Sequence, residues 1–378
     1  MHESEKECYQ INLQRHFGGG EVYTRFFSKA LLALGWKVTL LVHRKAVFWQ
    51  DLPLNGLRII PVDDSEDIVK HLPGNRTLVV AHGSLSGVLR QRVQQQHMYC
   101  CVAHMPFLDR KPPEGCHSVF AVSQYVIDTL QNKGLRNCYP VPLYGVADLE
   151  RHRSAATICA ESPYDWDERK MRDRLLSYIY PLRQRLKVNR SYNRLPGLTL
   201  GIVSRITPIK QFPLLFELIA PVIEKFPDIH LEIFGSGGYA SIRDLKKSIA
   251  PIRTRVRFWG QQKAVIDVYP LLDFLLTGLP EKEALGLNVI EAQTCGTPVI
   301  AVKAPPFTET VSEGETGFFY TDPRADGARD FERLLRRITT SREYPKPLQA
   351  TEHLAKFSFG AFTARVAGAM EFALRRHP

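Results

Sequence analysis

Short apolar runs recur along this chain, separated by segments with helical spacing, and that alternation leaves few architectures open. In the first half, a strand at Tyr9–Leu13 is followed by runs at Val38–Val42, Leu78–Ala81, Tyr99–Ala103, Val119–Val122 and Tyr139–Leu143. Strands apolar at nearly every position are buried on both faces, as in a parallel sheet covered by helices on each side. Between the first two runs, Val22, Phe26, Phe27, Ala30, Leu31 and Leu34 fall on one face of a predicted helix that stops at Gly35. The second half repeats the scheme, with strands at Leu198–Val203, His230–Phe234, Val256–Trp259, Phe274–Thr277 and Pro298–Val302. Helices are predicted over Phe212–Phe226, bent at Pro221, and over Gly286–Cys295, closed by Gly296 and Pro298. The expected class is α/β: two doubly wound, Rossmann-like domains facing a central cleft, with ligands beyond the carboxyl ends of the strands.

The 378 residues suit two domains, and 44% apolar with 24% charged residues is the composition of an ordinary globular protein. No stretch reaches the ~18 apolar residues of a membrane span. The acidic opening, Met1 to Glu7, leads us to expect no signal peptide. Seven cysteines without a CxxC pair fit reduced thiols and a cytoplasmic location. The net charge of +11 favours an anionic partner: nucleic acid, an acidic lipid surface or a phosphorylated ligand. Residues 168–187 combine Met171, Leu175, Ile179, Leu182 and Leu186 at helical spacing with seven Lys or Arg side chains. Two readings stand for that segment: a solvated amphipathic linker, or an attachment to an anionic membrane surface.

The chemistry concentrates in Glu283-Ala284-Leu285-Gly286-Leu287-Asn288-Val289-Ile290-Glu291. The free N–H groups of Gly286, Leu287 and Asn288 at a helix start make a phosphate cradle. Glu291, a turn inside, can accept from both hydroxyls of a ribose. Glu283, in the loop before the helix, reaches a different group on the other side of the phosphates. Arg205 and Lys210 follow the Leu198–Val203 strand and supply fixed positive charge for a departing diphosphate without a metal. A nucleotide sugar fits that plan.

These residues resemble a retaining glycosyltransferase of the GT-B fold, of the class called glycosyltransferase family four or group 1. The likeness rests on the Glu283/Glu291 pair with Arg205 and Lys210, on Gly296-Thr297-Pro298-Val299-Ile300 and on Gly314-Glu315-Thr316-Gly317. It covers roughly 11–146 and 198–376. Gly18, Gly19 and Gly20 resemble the glycine loop that approaches the donor phosphate. His104 matches the histidine placed near the donor sugar's anomeric carbon. The resemblance implies domains at 1–150 (acceptor side) and 198–357 (donor binding), an insert at 151–197, and a helix in 358–378 crossing back to the first domain. It implies transfer from a UDP- or GDP-sugar to a saccharide or lipid-linked acceptor, with roles for Glu283 and His104 on the sugar. Arg205, Lys210 and the Gly286–Asn288 backbone are implied at the diphosphate, and Glu291 at the ribose. No metal and no resident cofactor are expected. The basic surface adds an expectation of lipopolysaccharide or other surface polysaccharide assembly, peripheral to the inner face of the plasma membrane. Ser204, Leu285 and Ala147 depart from the family's usual Gly, aromatic and acidic residues.

Other signals in the chain point less firmly. Asp165-Trp166-Asp167 spells a metal-binding DxD but precedes the basic segment, where acidic residues suit a helix start. His82 ends a strand and fits either a structural or an acceptor-contacting role. His97 and His104 lie too irregularly for zinc. The 18–20 glycines do not follow G-x-G-x-x-G, and Val38–Val42 runs into His43-Arg44-Lys45 rather than an acidic residue, which argues against a dinucleotide oxidoreductase. A GT-B epimerase or phosphorylase, and a non-enzymatic nucleic-acid binder, remain as alternatives; no aromatic–basic module supports the latter, and no nucleic-acid partner is expected.

Overall fold

The computed structural model describes residues 6–51, 54–85, 87–147, 157–166, 171, 174–175, 191–341 and 343–375. Most of the basic 168–187 segment, and Asp167 of the DxD triplet, lie outside the described residues. The chain divides into two compact units: Met1–Ala147 with Ala355–Pro378, and Asp148–Leu354.

The first unit is built on β1 (Glu7–Asn12), β2 (Lys37–His43), β3 (Leu57–Val62), β4 (Leu78–Ala81), β5 (Met98–Ala103) and β6 (Ser118–Ala121). They pair in the order β3-β2-β1-β4-β5-β6, and every pairing is parallel. Central β4 is buried at all four positions, as is β6 at one end of the sheet, whereas β3 at the other end is half exposed. Leu57-Arg58-Ile59-Ile60-Pro61-Val62 does not stand out in the sequence because Pro61 and the charged Arg58 are tolerable on an edge.

Tyr139–Leu143 is not a strand. Tyr139 and Leu143 donate to Val119 and Ala121 of β6, but Pro140 and Pro142 between them have no N–H and cannot continue the ladder. The first long helix begins earlier than its apolar period, at Gly19–Ala33, so Gly19 and Gly20 form its first turn. Gly35 ends it with φ +79°.

The C-terminal helix Phe359–Arg375 completes this unit. Phe362 meets the Tyr23 ring edge-on at 5.4 Å, and the Arg365 guanidinium lies over Tyr144 at 5.0 Å. Gly368 has no side chain to spare: a Cβ there would fall 2.5 Å from the Tyr139 hydroxyl.

The second unit carries β7 (Leu198–Val203), β8 (Ile229–Phe234), β9 (Val256–Gly260), β10 (Phe274–Leu276), β11 (Val299–Val302) and β12 (Gly317–Tyr320). The pairing order is β12-β11-β10-β7-β8-β9, again parallel. Counted within its own unit, each sheet has the order 3-2-1-4-5-6. The direction of winding therefore reverses between β1 and β4 in one unit and between β7 and β10 in the other, where doubly wound sheets hold ligands. Helix Phe212–Glu224 runs through Pro221 and buries Phe212, Leu215, Phe216, Ile219 and Ile223 against the sheet. Among the described residues, no helix is long and apolar enough to cross a membrane.

Candidate active site

At the β7–β10 switch point the sequence brings two loops and one helix start together. Beyond β7, the chain turns through Thr207 to Lys210, whose N–H donates to the Thr207 carbonyl at 3.1 Å. Gln211 then adopts φ +52°, one of three non-glycine residues with positive φ among the described residues. Such conformations cost on the order of 1–3 kcal/mol and persist where surrounding structure enforces them. Beyond β10, Gly278 lies directly against this turn; a Cβ on it would fall 2.1 Å from the Lys210 carbonyl oxygen.

That close approach aims Lys210 at Glu283. The Lys210 ammonium donates to Glu283 Oε2, and both side chains are largely buried, 22% and 15% exposed. Glu283 Oε1 accepts from the Ala284 N–H at 3.3 Å. The loop carrying Glu283 is held from behind by Arg324, which forks between Glu281 and Asp322. One of the three ammonium hydrogens is committed to Glu283, which leaves two for a ligand.

Gly286 caps helix Leu287–Thr294 with φ +79°, and a Cβ there would press within 3.2 Å of Phe307 and Val289. No side chain caps this end; the first bond of the turn runs from the Val289 N–H to the Gly286 carbonyl at 2.9 Å, so the N–H groups of Gly286, Leu287 and Asn288 lie ahead of it. Asn288 fastens the turn to β7 through a 3.1 Å bond from its amide to the Val203 carbonyl. Glu291 lies one turn further on. Its Oε2 accepts from the Tyr269 hydroxyl at 2.7 Å, and Tyr269 is fully buried, its own carbonyl accepting from Thr297 Oγ1. Burial pushes the Glu291 pKa up, while the Tyr269 hydroxyl and the Lys210 charge pull it down.

Lys210, Glu283, Glu291 and the 286–288 backbone thus share one locality. Arg205 is exposed two residues past β7, and among the described residues it has no charged partner. Tyr269 was missed in the sequence; nothing in its neighbourhood marks it until the fold sets it against Glu291.

The same unit contains a cavity of about 670 Å³ lined in part by Ser236, Gln261, Gln262 and Lys263 from the loops after β8 and β9. Its other wall is Thr157–Asp165, stitched on by Glu161 N–H to the Trp259 carbonyl and Asp165 N–H to the Gly237 carbonyl. Trp259 itself is buried and donates its indole N–H to Glu232, so it packs rather than lining the cavity. Buried Glu232 also holds Arg257, its register partner on β9.

The remaining candidates, Gly18, Gly19, Gly20 and His104, belong to the first unit. A Cβ on Gly20 would meet nothing within 4 Å, so the fold itself does not require glycine there. His104 follows β5, with its ring edge-on to Tyr23 at 4.9 Å. Its Nε2 lies 3.3 Å from His82 Nδ1, and His82 Nε2 lies 2.7 Å from Gln10 Oε1. His82 is therefore a buried structural partner, 6% exposed. Among the described residues, no group of three or more His, Cys, Asp or Glu is placed to hold a metal ion.

Burial lowers the His104 pKa from 6.5 to about 4 and also lowers His82. A base whose folded pKa is depressed contributes stability that is present above its unfolded pKa and lost as pH falls toward the folded one. For His104 the window runs from pH 6.5 down to about 4 and corresponds to roughly 3 kcal/mol. The thermal midpoint should fall through that window, and His104→Asn should flatten the decline; an unchanged slope would contradict the assignment.

Two Rossmann-type units with this topology define a GT-B protein. The crystal structure of Anabaena Alr3699/HepE in complex with UDP-glucose has the same fold, with a TM-score of 0.69 at 15% identity over 97% of this chain and 99% of that one. Residues 191–350 match the family described as glycosyl transferases group 1. Over 311 residues it is 31% identical to a D-inositol 3-phosphate glycosyltransferase of Rhodococcus opacus (strain B4), covering 73% of this chain and 63% of that protein. Over 177 residues it is 33% identical to the protein of the same name from Rhodococcus erythropolis (strain PR4 / NBRC 100887), covering 43% and 39%. The chain spans between 39% and 62% of the length of the first curated relatives it matches.

Proposed function

We propose that this protein transfers a sugar from a nucleoside-diphosphate sugar to a saccharide or lipid-linked acceptor, with retention at the anomeric carbon and without a metal. The observation that carries the reading is the Lys210–Glu283 pair beside the uncapped start of helix Leu287–Thr294, with Glu291 one turn inside. In this reading the diphosphate lies on the helix N–H groups, Lys210 and Arg205. Glu291 holds the ribose through the oxygen that Tyr269 leaves free. Glu283 accepts from hydroxyls of the donor sugar. The base occupies the cavity bordered by Ser236, Gln261 and Gln262.

As the bond between the anomeric carbon and the phosphate oxygen breaks, negative charge collects on the leaving diphosphate. Fixed N–H groups and the two cations stabilise it without reorganising. The acceptor oxygen attacks the same face of the sugar, and its proton passes to the departing phosphoryl oxygen. No separate general base is required. The roles that the resemblance gives to His104 and to the glycines at 18–20 are part of the same proposal.

For the acceptor, the basic surface favours an anionic or lipid-linked molecule of surface polysaccharide assembly, reached at a membrane face through 168–187. A second reading, a small phosphorylated polyol, is favoured by the name shared by several relatives, D-inositol 3-phosphate glycosyltransferase. Binding to anionic vesicles that weakens when basic residues in 169–187 are neutralised supports the first. Transfer to a soluble polyol phosphate supports the second.

The direct test of the donor class is thermal shift with UDP, GDP, dTDP and ADP. At ~100 times its dissociation constant, a ligand adds about 2.7 kcal/mol, or roughly 5–11 °C for a unit of this size. One nucleotide should raise the midpoint and a DNA duplex should not. No shift with any of the four would remove the donor site from the reading. Chelation with EDTA should leave the transfer rate unchanged; loss of activity on chelation, restored by a divalent cation, would overturn metal independence.

A further inference from the structure

The interior of the first unit holds a chain of polar side chains that leads to His104, and three of its members, Ser28, Gln10 and His82, have no part in the glycosyl-transfer reading. It starts at a helix carbonyl: Ser28 Oγ donates to the Thr24 carbonyl at 2.9 Å. With its hydrogen spent there, the Ser28 oxygen accepts from Gln10 Nε2, also at 2.9 Å. That bond turns the Gln10 carbonyl oxygen toward His82 Nε2 at 2.7 Å. Gln10 and Ser28 are 0% exposed.

An amide oxygen can only accept, so His82 must carry its proton on Nε2. A neutral imidazole then has a bare Nδ1, which can only accept. His104 Nε2, 3.3 Å away, is the donor that meets it. The direction set at Ser28 is thus passed through two rings. Reversing the chain would take the Ser28 hydrogen from the Thr24 carbonyl to the Gln10 oxygen and lose one hydrogen bond without replacing it. Burial keeps both rings neutral, so neither can escape the choice by taking a second proton.

We propose that Gln10, acting through His82, fixes His104 in the tautomer that carries its proton on Nε2, which leaves His104 Nδ1 an acceptor only. Resting on the glycosyltransferase reading, this assigns His104 the recognition of a sugar hydroxyl, which can donate, and denies it the role of proton donor to the leaving group. Gln10 and His82 are positioning residues.

The tautomer is read directly by long-range ¹H–¹⁵N correlation on the full chain labelled at histidine nitrogen, with His104→Asn to assign the signals. The wild type should show a protonated Nε2 and a bare Nδ1 at His104 between pH 6 and 8. A proton on Nδ1, or an even mixture, would overturn the proposal. Gln10→Met removes the acceptor and should yield a tautomer mixture, with kcat/KM for transfer lower by about tenfold. A pure Nε2–H signal in folded Gln10→Met would also count against the relay. If Gln10→Met does not fold, the wild-type spectrum still decides. If the glycosyltransferase reading itself is wrong, the wild type shows no sugar transfer while the tautomer measurement stands unaffected.

Discussion

Lys210→Ala is expected to lower the turnover number for sugar transfer by about 10²–10³-fold, the usual consequence of removing one fixed donor from a developing anion. The substitution does two things at once. It removes charge from the departing diphosphate, and it leaves Glu283 largely buried without its cation. The second effect lowers stability, because an unpaired buried carboxylate keeps its desolvation cost. The double variant Lys210→Ala/Glu283→Ala separates them: it should recover much of the lost thermal midpoint and none of the lost activity. A Lys210→Ala enzyme with wild-type turnover would dismiss the assignment. A double variant no more stable than the single one would show that the pair is not energetically coupled.

Glu291→Ala should weaken nucleoside-diphosphate binding by about 10²-fold or more. A carboxylate accepting two ribose hydroxyls makes charge-assisted bonds worth roughly 1.5–3 kcal/mol each. Binding of a 2′-deoxynucleotide gives the sharper readout. The wild type should prefer the ribonucleotide, and Glu291→Ala should bind the two forms nearly equally. Tyr269→Phe should fall between, since Glu291 stays but loses the 2.7 Å bond that orients it. Isothermal titration of the six combinations checks this, and an undiminished ribose preference in Glu291→Ala would place the ribose elsewhere.

How far these residues were legible in the sequence differs from one to the next. Glu283, Lys210 and Glu291 could be read because the loop, helix start and strand end that carry them each have a local signature. Their pairing across 73 residues is a property of the β7–β10 adjacency and emerges only from the fold. Tyr269 left no local trace: a tyrosine before a proline in a short helical segment reads as packing. Gln10 did leave one, a glutamine inside an otherwise apolar strand, but its partners lie on a helix and on β4's far end. The buried strands were readable almost to the residue, with β4 and β7 at the expected bounds. Edge strands β3 and β12 were not, because exposure on one side relaxes the apolar run that identifies a strand. Tyr139–Leu143 misled for the opposite reason: its apolar residues pack, but two prolines deny it a ladder.

The chain's return to its first unit fixes an order of events during synthesis. Residues 355–375 emerge from the ribosome only after the whole second unit, yet they supply the helix against which Tyr23, Tyr139 and Tyr144 pack. The nascent first unit must therefore wait, with that aromatic surface uncovered, while the second is translated and free to fold. At ~5–20 residues per second, the roughly two hundred intervening residues correspond to tens of seconds at most. Over that interval the unfinished unit, rather than the finished one, is the species a chaperone would meet.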